Sequence, residues 1–113
     1  MIAHLVLFKP KLTLSAGERA VFVDSLQHAL NNIALIKRAR VGRRVMLGRL
    51  YDEQNPHDFP FAAMLEFASE PDLREYLNHP AHTRLGEQFY ATADAALVFD
   101  FELLEGDRAT ELL

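Results

Sequence analysis

The residues best suited to chemistry lie in one run, Tyr-Leu-Asn-His-Pro-Ala-His, where Tyr76, His79 and His82 sit around a single proline. Two imidazoles at this spacing suggest a pair of metal ligands, a proton-transfer group, or the junction between two helices. A metal reading needs both rings on one helical face, and Pro80 interrupts the helix between them. It also needs a third ligand, and His4, Glu75 and Glu87 form no ligand motif with the pair. No metal site is expected. The junction reading makes Pro80 the first residue of a new helix, His79 its N-cap and His82 part of its first turn. That placement accounts for His79 without any further function. For His82 it has a chemical consequence, because the positive helix end and partial burial both disfavour the imidazolium. A neutral imidazole near pH 7 can accept a proton, as a general base must. Tyr76 falls in the last turn of the preceding helix, close enough for its hydroxyl to donate to a carbonyl as negative charge develops there. On spacing alone, a structural role for both residues stands beside the catalytic one.

His4 lies between Ala3 and Leu5 on an apolar first strand and points away from both. A polar ring in an apolar layer needs a partner, either backbone or a pocket group facing His82. His28 falls on a helix surface and His57 in a polar loop, and neither is given a role.

The elements that must position these groups are legible from patterning. Ile2–Lys9 is β-branched and aromatic and stops at Pro10, which reads as a strand. Ser15 followed by Glu18 is a capping-box signature, and Phe22, Val23, Leu26, Ala29, Leu30 and Ile33 form the apolar stripe of the helix behind it. A second strand is expected from Arg38 to about Leu47, with Gly42 marking a bulge. Residues 48–60 carry turn chemistry rich in Asp, Asn and Pro. Phe61–Phe67 is a third strand, with Phe61, Ala63, Leu65 and Phe67 on one face and Ala62, Met64 and Glu66 on the other. Ser69 caps the next helix, which ends near Leu77, and the helix begun at Pro80 runs to about Thr92. Ala95–Leu104 is the fourth strand, and residues 105–113 are an acidic tail outside a domain spanning 1–104.

The order is βαββαβ, an α+β, ferredoxin-like protomer with a four-stranded antiparallel sheet and its helices on one face. The opposite sheet face is apolar enough to demand a cover, which a second copy of the chain supplies, so a homodimer is expected. At 113 residues, half apolar and a quarter charged, the composition suits one globular domain. The net charge of −4 and the dispersed Lys and Arg exclude nucleic acid as a main partner, the one basic run, Ile36–Arg44, reading as a solvated strand face. Without cysteine there are neither disulfides nor thiolate metal sites. The apolar start is too short to span a membrane and lacks signal-peptide features, so a soluble, cytoplasmic protein is expected.

His4–Lys9 opening the first strand, Val41–Val45 at the second, and above all Tyr-x-x-His-Pro-x-His followed by Leu-Gly-Glu resemble the stress-responsive A/B-barrel (Dabb) family, within the dimeric α+β barrel proteins. The resemblance covers about Ile2 to Phe101. It implies ferredoxin-like protomers whose sheets close into an α+β barrel in a homodimer. One branch of the family, plant polyketide cyclases of the olivetolic acid cyclase kind, closes poly-β-ketones by aldol condensation without cofactor or metal. The resemblance to that branch implies that His82 is the base, that Tyr76 binds substrate near the reacting carbonyl, and that His4 lies in the pocket. That branch has aromatic residues on the inner face of the first helix, where this chain carries Val23 and Leu26 as pocket residues. The expectation is therefore a cofactor-independent lyase, cyclase or isomerase acting on a small carbonyl or polyketide-like ligand. The alternative is a non-catalytic, stress-associated or small-ligand-binding dimeric module.

Overall fold

In the computed structural model, which describes Met1–Leu113, the chain runs β1 (Ile2–Pro10), α1 (Ala16–Asn32), β2 (Arg38–Arg43), α2 (Leu50–Glu53), β3 (Phe61–Phe67), α3 (Glu70–Leu77), α4 (Pro80–Thr92) and β4 (Ala93–Glu102). The strands form one antiparallel sheet in the order β2-β3-β1-β4, the ferredoxin-like α+β arrangement. No helix is long and apolar enough to cross a membrane.

Side-chain caps begin three of the helices. Ser15 Oγ accepts the Glu18 N–H at 3.1 Å while the Glu18 carboxylate accepts the Ser15 N–H at 3.1 Å, which completes the capping box. Ser69 Oγ accepts the Asp72 N–H at 3.3 Å at the start of α3. His79 caps α4 with its ring, Nδ1 accepting the Ala81 N–H at 3.0 Å directly ahead of Pro80.

Four expectations need correction. β2 stops at Arg43 and does not continue to Leu47. Arg44 turns its side chain to Asp58 at 3.0 Å, and the buried Asp52 carboxylate accepts the N–H groups of Leu47 at 2.8 Å and Arg49 at 3.2 Å. The chain from Arg44 to Asp58 thus folds on itself and includes the single turn α2. Gly42 marks no bulge, since β2 pairs with β3 in unbroken register; the one irregularity falls at Lys9/Pro10, where proline has no N–H to give the ladder. β4 spans Ala93–Glu102 rather than 95–104, its entry secured by the Lys11 N–H donating to the Thr92 carbonyl at 2.8 Å. Val23 is half exposed, because the buried line of α1 runs through Ser25, Ala29 and Ile33 and a helix turns about 100° per residue. The tail forms a short 3₁₀ run, Gly106–Glu111, exposed throughout.

Strand alternation divides the sheet into two unlike faces. Ile2, His4, Val6 and Phe8 share a face with Ala63, Leu65 and Phe67, and this face meets the helices. Ala29, Ile33, Leu73, Tyr76 and Leu85 close the core over Leu65 and Phe67. Leu5, Leu7, Met64, Leu97, Phe99 and Phe101 point the other way. Met64, Phe99 and Phe101 are each about half exposed, at 47%, 47% and 50%. The molecule is only 16 Å thick, one sheet and one helix layer, so nothing within the chain covers this apolar face.

Candidate functional site

His4 from β1, Tyr76 from α3 and His82 from α4 line one cavity of about 300 Å³ between the sheet and the helices. The α3–α4 corner brings the last two together. Ending α3 at Leu77 leaves that carbonyl free of a helical partner, and the His82 Nδ1 lies 3.0 Å from it. A carbonyl only accepts, so Nδ1 carries the proton and Nε2 keeps its lone pair. Burial lowers the His82 pKa below its ordinary value, and the nearby His4 acts in the same direction. The bond to Leu77 opposes both, because an accepting carbonyl favours the protonated ring.

Tyr76 is only 2% exposed, with its ring 4.6 Å from that of His82 and 5.9 Å from that of His4, both edge-on. Burial alone pushes its phenol up to about 12, so the hydroxyl stays protonated and can donate. His4 finds its partner on the neighbouring strand. Its Nδ1 donates to Asp100 Oδ1 at 2.6 Å, across the register pair His4–Asp100 of β1 and β4. A carboxylate only accepts, so Nδ1 holds a proton here too and Nε2 is the ring nitrogen left facing away from Asp100. The partner of His4 is thus neither backbone nor a group at His82 but Asp100, which the sequence pattern does not single out. The available signal was a lone carboxylate between Phe99 and Phe101, on the strand that flanks β1 in a ferredoxin-like sheet.

Leu26 lines the same cavity, whereas Val23 lines only a neighbouring one. The aromatic residue on the inner face of α1 is Phe22, which packs 5.8 Å from Phe8 and 6.5 Å from Phe89 by ring centres. His28 bonds Asn32 on the helix surface, and His57 stays in its exposed loop. No three His, Asp or Glu side chains converge as metal ligands would. Chemically, the cavity offers a hydrogen-bond donor that keeps its proton, one imidazole tied through Nδ1 to a carbonyl and a second tied through Nδ1 to a carboxylate, on otherwise apolar walls.

The profile of the stress-responsive A/B barrel domain, Dabb, matches residues 2–103. The chain belongs to this family. Among curated proteins none matches this Dabb chain significantly by sequence. Solved structures that share its fold include a protein from Arabidopsis thaliana, 23% identical, which covers 93% of this chain and 97% of its own with a TM-score of 0.75. A hydroxynitrile lyase from Passiflora edulis is 17% identical, with coverages of 92% and 94% and a TM-score of 0.77. A dimeric ferredoxin-like protein of unknown function from Thermobifida fusca is 20% identical, with coverages of 90% and 90% and a TM-score of 0.70. At these identities the likeness is one of fold.

Proposed function

We propose that this Dabb-domain chain is a cofactor-independent enzyme of the lyase, cyclase or isomerase kind, acting on a small carbonyl or polyketide-like compound in the His4–Tyr76–His82 cavity. The observation that carries the reading is the His82 hydrogen bond: Nδ1 is tied to the Leu77 carbonyl, and burial favours the neutral ring, so Nε2 is placed as the proton acceptor. In this reading Nε2 removes a proton from the carbon next to a carbonyl. The Tyr76 hydroxyl donates to the carbonyl oxygen as the enolate forms, and the imidazolium returns the proton to the product. His4, with Asp100 holding its Nδ1 proton, orients the substrate from the sheet side through Nε2. The hydroxynitrile lyase of Passiflora edulis shows that a fold of this kind carries lyase chemistry in another protein.

The second sheet face supports a homodimer. Its exposed Met64, Phe99 and Phe101 suit the same surface on a second copy, and similar folds are described as dimeric.

The test is catalysis of α-proton exchange into deuterated water, followed by NMR over a panel of ketones and β-diketones. Wild type accelerates exchange of at least one compound, and His82→Ala loses about 10²–10⁴-fold of that rate. Tyr76→Phe loses about 10²–10³-fold, the effect of removing one donor from a developing oxyanion. Binding without exchange, or exchange that survives His82→Ala, refutes the base assignment and leaves a ligand-binding module.

A further inference from the structure

Beside the histidine cavity lies a larger one, of about 520 Å³, at the Lys9 end of β1 and the start of α1. Phe8, Leu12, Phe22 and Val23 make much of its wall, and Lys9, Lys11 and Arg19 stand among them. None of these three cations takes part in an ion pair within the chain. Of the nearby carboxylates, Asp58 pairs with Arg44 at 3.0 Å, and Glu18, which accepts the Ser15 N–H at 3.1 Å, feels the charge of Lys11 without forming an ion pair with it. An apolar cleft edged by unpaired cations is complementary to an anion that carries an apolar body.

The two cavities share Phe8, Phe22 and Leu26 as a common wall. Phe8 touches both Phe22 and Phe89, with ring centres 5.8 Å and 5.7 Å away, and this aromatic group stands between the cations and the histidines. Lys9 lies five positions beyond His4 on the same strand, roughly 17 Å at about 3.3 Å per residue. An extended chain can lie along that wall with its ends in different cavities.

We propose that the larger cavity binds the anionic end of an amphipathic carboxylic acid, its carboxylate at Lys11 and Arg19 and its apolar chain along Phe8 and Phe22. The binding site stands on its own geometry. Only a further consequence rests on the proposed base: with the reacting carbonyl at Tyr76, the substrate is an oxo acid whose ketone and carboxylate are separated by an apolar chain.

The experiment is calorimetric titration of the full chain with decanoate and with decanol, at low salt and in 1 M NaCl. Decanoate binds about tenfold more tightly than decanol at low salt, as expected for two exposed cations acting together. High salt shrinks that preference, and the double variant Lys11→Gln/Arg19→Gln removes it while decanol affinity stays unchanged. Both residues are exposed, so the variant keeps its fold, checked by circular dichroism. Calorimetry reads binding without turnover, so this outcome holds or fails independently of the exchange assay that tests the base assignment. The proposal is overturned if decanoate does not bind, if decanol binds as tightly, or if the preference survives the double variant or high salt.

Discussion

Replacing His79 by alanine tests whether the two histidines of His-Pro-Ala-His have different jobs. The ring of His79 accepts the Ala81 N–H at 3.0 Å, one of the orphan donors at the start of α4. Losing such a cap costs about 1 kcal/mol. With an unfolding entropy of about 2.1 cal/mol/K per residue, 113 residues give roughly 0.24 kcal/mol/K, so Tm falls by about 4 °C. His79→Asn restores most of that loss, because a short side-chain oxygen caps the same N–H groups. His82→Ala removes the bond to the Leu77 carbonyl and costs a similar ~0.5–1.5 kcal/mol, so melting alone does not separate the pair. Exchange activity does: it survives per folded molecule in His79→Ala and falls about 10²–10⁴-fold in His82→Ala. Thermal melts followed by circular dichroism, run beside the deuterium-exchange assay, give both numbers. A His79→Asn variant as unstable as His79→Ala, or one histidine variant matching the other in lost activity, would refute the division of roles.

Four further outcomes are expected. The His82 imidazole, followed by NMR, titrates below the ordinary histidine value of 6.5, and the acid limb of kcat/KM follows it. Because its pKa is lowered on folding, the unfolded chain binds the proton first, so His82 contributes stability above pH 6.5 that is lost as pH falls through its folded value; His82→Gln removes this share of the slope. In an alkaline absorbance titration, one of the three tyrosines holds its proton to about 12, and Tyr76→Phe abolishes that late step. Phe99→Glu places a charge on the bare sheet face and yields a folded monomer in sedimentation where wild type is a dimer, whereas monomeric wild type refutes the proposed pairing.

Much of the fold was written locally. Ser15 with Glu18, Ser69, and His79 before Pro80 each act within one helical turn, so their caps follow from neighbours in the chain. The bare apolar face followed from period-two alternation in the strand pattern, which needs no knowledge of what lies across it. Segment ends were less legible. β2 ends at Arg43 where partners farther along the chain take over: Arg44 pairs with Asp58, and Asp52 accepts the Leu47 N–H. Of the two neighbours expected in the α1 stripe, Phe22 packs against the core and Val23 is half exposed, because each residue turns a helix by about 100°.

Sequence alone determined that Tyr76 and His82 flank a helix break, and a break of that kind brings a ring to the free carbonyl of the helix it ends. Tertiary structure alone decided that His4 joins them and that Asp100 holds it. Those two residues are 96 positions apart and meet only through the β1–β4 register, which depends on the whole sheet closing in the order β2-β3-β1-β4. The lowered pKa of His82 has the same origin, because its leading cause is burial, and burial is a property of the packed layers and not of the seven-residue run that carries the ring.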